Sequence, residues 1–343
     1  MYYKQNLTAN ECFGLVKSLI EDNEIKSEQI DTESIDLKRK SIVVLCGNNT
    51  KDPMRAGNYT TYCFNWLDNN KDNSKITAYS IFYPKEQPLL VSLKPNPSLD
   101  YEGLAKIMFE QLLSQNGATR PLKDISESFG NITFFGHSAG GFVMNELMFH
   151  LGLMLKDRKF SDNDINKIYS NIVFVAYSPF TLVDAPINSI YVAPIYDSIG
   201  STKLVYDKMI QNKNVISSNP KFDVSNICKF RASSYSSFFK LYETAIRDED
   251  TLYFVDDKSL ISTPNLLFFD GLKEDHNLAG VINYPKEHPY KTKAGIITTK
   301  FLSDVLKYSV STERNKFSII DLYNHVVQPS QPTDEQDHKN KEL

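Results

Sequence analysis

Between Asn131 and Met148 the chain reads Asn-Ile-Thr-Phe-Phe-Gly136-His137-Ser138-Ala139-Gly140-Gly141-Phe-Val-Met-Asn-Glu-Leu-Met, an apolar run that passes through G-x-S-x-G into an amphipathic helical pattern. A strand that must become a helix over so few residues has few solutions. The turn forces the serine into strained φ/ψ, and small residues at Gly136 and Gly140 let strand and helix approach each other. Ser138 is thereby lifted to a helix N-terminus, where the Ala139 N–H and the helix dipole favour a developing oxyanion. A phosphate-gripping turn is the competing use of such a junction, but the Walker lysine and the G-x-G-x-x-G spacing are both missing. The segment therefore reads as a nucleophile elbow.

Its surroundings fit a mostly parallel sheet. Ser41 to Cys46 is a short, nearly all-apolar run of the kind expected for a strand covered on both faces. Similar runs recur at Ile76 to Tyr83, Ile132 to Phe135 and Ile172 to Tyr177, with further strand candidates at Ser189 to Ile195 and Asn265 to Asp270. Helical patterns lie between or after them, carried by Leu104, Ile107, Met108 and Leu112, by Met144, Leu147, Met148, Leu151 and Leu155, and by Ile297, Phe301, Leu302 and Leu306. Strands alternating with helices predict right-handed crossovers and an α/β fold with helices flanking the sheet. The start, Glu11 to Asp22, is read as helical. Residues 1–328 are expected to form one domain, with 198–264 as an insertion or lid-like segment before the last strand and 329–343 as a disordered tail. The Pro-containing loop Pro84 to Pro97, with Leu89, Leu90, Val91 and Leu93, is a second segment able to cover a site.

The elbow and its element order resemble the α/β-hydrolase fold family of serine hydrolases, with Gly136-His-Ser-Ala-Gly140-Gly141 similar to the elbow of its esterases and lipases. The resemblance spans roughly Lys40 to Tyr308 in element order and is detailed only at the elbow and after the first strong strand. It implies an oxyanion donor just after that strand, often within His-Gly-x. Here the place reads Cys46-Gly47-Asn48-Asn49, with Cys where the family has His, so the Asn48 N–H joins that of Ala139 as a candidate, unless the segment is merely a turn.

A serine hydroxyl needs a base to remove its proton. Six histidines are available. His137 adjoins the serine and should point away on so tight a turn, His150 falls in the elbow helix and His338 in the tail. His276 lies in a loop past the last strong strand and before the last strong helix, where the family places its base; His288 and His325 remain alternatives. The orienting acid should fall between serine and histidine in chain order. Asp197, at a strand's end, is the first candidate and Asp184 the second. Asp256 and Asp257 precede the next strand by too few residues for a parallel crossover.

The resemblance thus implies cleavage of a carboxylic ester through an acyl-enzyme, without cofactor or metal. A thioesterase, a peptidase and a binding protein on the same fold are the alternatives. Apolar residues in the Pro84 to Pro97 loop and aromatics of the insertion (Tyr235, Phe238, Phe239, Tyr242) suggest a lipophilic acyl or lipid pocket and allow peripheral membrane contact, or form the insertion's own core. With 38 basic and 42 acidic side chains, 38 − 42 = −4, the whole chain offers nucleic acid no electrostatic attraction. Cys12, Cys46, Cys63 and Cys228 have neither metal spacing nor the density of a disulfide framework. No basic-then-apolar leader opens the sequence, so a cytoplasmic protein is expected, with specialised secretion left open. The preference for Lys over Arg and the abundance of Asn hint at an AT-rich bacterial genome.

Overall fold

The computed structural model describes residues 7–22, 24–48, 50–67, 75–84, 90–91, 94–96, 98–179, 183–194, 215–217, 253–257, 265–269 and 293–312. In chain order the elements are α1 (Ala9–Cys12), β1 (Gly14–Glu21), β2 (Glu24–Ile30), β3 (Ser41–Leu45), α2 (Pro53–Trp66), β4 (Thr77–Phe82), β5 (Leu90–Val91), β6 (Lys94–Pro95), α3 (Tyr101–Leu113), β7 (Ser114–Gln115), β8 (Ala118–Thr119), α4 (Leu122–Gly130), β9 (Ile132–His137), α5 (Gly140–Asp157), α6 (Asp162–Tyr169), β10 (Val173–Tyr177), β11 (Asn188–Pro194), β12 (Val215–Ser217), β13 (Tyr253–Asp257), β14 (Asn265–Phe269) and α7 (Lys293–Ser311).

One sheet runs β12-β13-β14-β11-β10-β9-β3-β4-β1-β2. Its middle, from β4 to β14, is parallel, as the β-branched runs predict. Every residue of β3, β9 and β10 is buried, which happens only when both faces of a sheet are covered. Chain direction supplies the covering. From β3 the chain steps to β4 on one side, then returns to β9 on the other and continues outward through β10 and β11. Right-handed crossovers in opposite directions put their helices on opposite faces. Accordingly α2 packs on β1, β4 and α7, whereas α3 packs on α4 and α5, and α4 on α6. The reversal falls between β3 and β9, and ligand crevices of open α/β sheets form outside the carboxyl ends of strands at such a point.

The start departs from the helical expectation. Only Ala9–Cys12 is helical, and Gly14–Glu21 is a strand held antiparallel between β2 and β4. Phe13, Val16 and Ile20 suit a helical stripe, but pairing on both sides overrides that local pattern. Gly14 has a specific reason to be small: a Cβ there would lie 2.3 Å from Cζ of Phe82. The signal for a hairpin was present in Asp22-Asn23 between two apolar-containing runs, and Asp22 adopts φ 54, as tight two-residue turns require. Leu15 pairs with Ile30 on one side and Ile81 on the other.

At the far edge, β12 and β13 fall within the stretch expected as an insertion, and both pair antiparallel, β13 against β14. β13 and β14 are thus antiparallel neighbours, consistent with Asp256 and Asp257 not heading a parallel crossover. The tail 329–343 lies outside the described residues. Among those described, no helix is long and apolar enough to cross a membrane.

Candidate active site

The junction of β9 and α5 has the local geometry that its sequence demands. Ser138 takes φ 51, a left-handed backbone rare for a residue with a side chain. Two bonds hold it there: its N–H donates to the Tyr177 carbonyl at 3.1 Å, and its own carbonyl accepts the Gly141 N–H at 3.3 Å. Ala139 follows with helical angles as the N-cap of α5, fully buried. Among the described residues its N–H has no acceptor, as expected for a first-turn donor.

The glycines are sterically required. At Gly140 a Cβ would stand 2.2 Å from the Leu45 carbonyl oxygen, a backbone atom of β3 that cannot swing aside. At Gly136 it would meet the Phe174 ring at 2.6 Å. The helix thus starts against the end of β3, beside the switch point.

The loop leaving β3 lies against the elbow. A Cβ on Gly47 would be 2.9 Å from His137 Nδ1 and 3.4 Å from Ser138 Cβ. Gly47 to Thr50 forms a turn in which the Thr50 N–H donates to the Gly47 carbonyl at 3.0 Å. Tyr83, just past β4, secures both ends: its N–H donates to the Thr50 carbonyl at 3.0 Å and its hydroxyl to the Cys46 carbonyl at 2.9 Å. Cys46 is fully buried, and burial pushes its thiol far above the usual range, so it packs as a neutral side chain and supplies no thiolate. The segment is indeed a turn, and it is also pressed against the elbow, with the half-buried Asn48 within it.

His137 is occupied elsewhere. Its Nδ1 lies 2.8 Å from the Tyr59 hydroxyl, and its ring stacks on Tyr177 at 5.9 Å with 26° between planes. Burial pushes the Tyr59 phenol well above its ordinary pKa, so it stays neutral. Tyr59 and Tyr83 had no place in the sequence reading, since nothing local marks a residue 78 positions from its partner.

On the other side of Ser138, the register pairs Tyr177 with His137, so Ser178 stands next to Ser138 at the same edge. It too has a positive φ, 46, and its buried Oγ has no hydrogen-bond partner among the described residues. Asp184 is exposed, its N–H donating to Asn145 Oδ1 of α5 at 2.8 Å. His150 lies in α5, 4.0 Å from Glu146. Asp197, His276, His288 and His325 lie outside the described residues; of the expected site the structure places Ser138 and Ala139 at the elbow and Gly47 against it, with Asn48 next in that turn. Among the described residues no His, Cys, Asp and Glu cluster could hold a metal ion.

These features define a doubly covered, mostly parallel α/β sheet with a strand–serine–helix turn at its switch point. No family model matches the chain, and no curated protein matches it. Among solved structures, the siderophore hydrolase EstA from Aspergillus nidulans is 13% identical over 89% of this chain and 98% of that one, with a TM-score of 0.28. Likeness at that level carries no assignment of fold or activity.

Proposed function

We propose that the protein is a serine hydrolase that cleaves a carboxylic ester through an acyl-enzyme. The observation that carries the reading is the left-handed, buried Ser138 at the sheet's switch point, followed by an Ala139 N–H that has no acceptor among the described residues. A side chain is rarely held at such an angle in a core without a use for it.

In this reading Ser138 Oγ attacks the ester carbonyl while His276 accepts its proton and Asp197 stabilises the resulting imidazolium. The carbonyl oxygen becomes an oxyanion and takes hydrogen bonds from the Ala139 and Asn48 N–H groups. His276 returns the proton to the leaving alkoxide, which departs as an alcohol. Water, deprotonated by the same base, then attacks the acyl-enzyme, releasing the carboxylic acid and restoring the serine. No cofactor is required. The substrate class proposed is a lipophilic or lipid ester, in keeping with the apolar loop and aromatic insertion of the sequence.

Labelling by a fluorophosphonate probe tests the reading, because only an activated serine reacts. Wild-type protein should label, Ser138→Ala should not, and p-nitrophenyl esters of increasing chain length should reveal the acyl preference. A folded wild-type protein that takes no label would overturn the reading in favour of a binding protein on the same fold. Preference for thioesters or amides over esters would move it to a thioesterase or peptidase.

A further inference from the structure

Resting on the reading of Ser138 as the nucleophile, we infer that Tyr59 and His137 are positioning residues: their hydrogen bond clamps the Gly47 turn, and with it the Asn48 N–H, over the serine. The clamp is built from three elements remote in sequence. Tyr59 comes from α2, His137 ends β9, and Gly47 follows β3, with Tyr59 Oη and His137 Nδ1 2.8 Å apart. Gly47 lies so close to both His137 Nδ1 and Ser138 Cβ that even a methyl group would crowd the imidazole. The turn cannot shift toward the elbow without striking that ring.

The contact between the Tyr59 hydroxyl and His137 Nδ1 ties α2 to the elbow beside the Gly47 turn, and Tyr177 stacked on the imidazole fixes its plane. Apolar side chains of the same size would fill this volume without partners to satisfy. What a hydrogen-bonded chain adds is a fixed distance and direction, and an oxyanion donor depends on both.

The test is Tyr59→Phe, which keeps the ring and deletes the hydroxyl, assayed with p-nitrophenyl butyrate and a fluorophosphonate. The clamp predicts a kcat lower by about tenfold to a hundredfold, KM within about twofold of wild type and a parallel fall in labelling rate. His137→Asn, which keeps a group able to donate or accept near the Nδ1 position, should retain at least about tenfold more kcat than His137→Leu. That pair decides the matter if Tyr59→Phe fails to fold. Wild-type labelling at Ser138 with kcat and labelling rate unchanged in Tyr59→Phe overturns the clamp alone, as does equal kcat in the two His137 variants. Absence of label and turnover in wild type overturns the hydrolase reading and the clamp with it.

Discussion

Asp22 and Ser138 have nearly the same backbone angle, φ 54 and φ 51, in opposite settings. Asp22 is exposed at the tip of a hairpin, where the turn itself calls for that angle and Asp tolerates it. Around it Lys26 reaches Glu21 at 3.0 Å, an ion pair half in water. Ser138 is buried, between a carbonyl of β10 and a glycine-thin contact with β3, and Ser178 beside it has the same sign of φ. At the hairpin the conformation solves the local problem of reversing the chain. At the sheet edge it is maintained by packing from several elements, at a cost of order 1–3 kcal/mol that a structural turn could have avoided.

Five substitutions can break or sharpen that contrast. The largest effect should come from Ser138→Ala, with turnover lower by about a thousandfold or more and the thermal midpoint nearly unchanged, read by ester hydrolysis and calorimetry. Asp22→Ala should leave turnover untouched. Next, Gly140→Ala places a methyl group against the backbone of β3 and should destabilise the fold by about 3 kcal/mol in urea unfolding. A loss below about 1 kcal/mol would mean the elbow relaxes and is not held by β3. Third, Ser178→Ala removes a buried hydroxyl that lacks a partner among the described residues, and should raise stability by about 1 kcal/mol. A fall in turnover alongside that gain would show the hydroxyl to be used in the site. Smallest is Lys26→Ala, expected to shift stability by at most about 0.5 kcal/mol and less at high salt, because the pair is solvent-screened.

The same contrast explains what the sequence made legible. The strand, turn and helix from Ile132 to Asp157 are contiguous, so their order and their glycines are written locally. β1 was not legible, because its apolar residues suit two periodicities and the choice is made by β2 and β4, the latter some sixty positions on. Tyr59 was not legible either: it is one of many aromatic residues, and only the crossover through α2 brings it to His137. The Cys46-Gly47-Asn48 turn was legible as a place but not as a contact, since its approach to Ser138 follows from strand pairing between β3 and β9.

The outermost strand, β2, has consequences for how molecules meet. Most of its seven residues face water, including Glu24 and Glu28. Lys17 of β1 reaches across to Glu28 at 3.6 Å. Two such borders brought together would have to strip water from acids and bases on both, with few apolar contacts in return. The sheet therefore ends at β2 in a margin that discourages strand-by-strand growth between copies of the chain, so crowding in the cell should not drive these molecules to polymerise along that side.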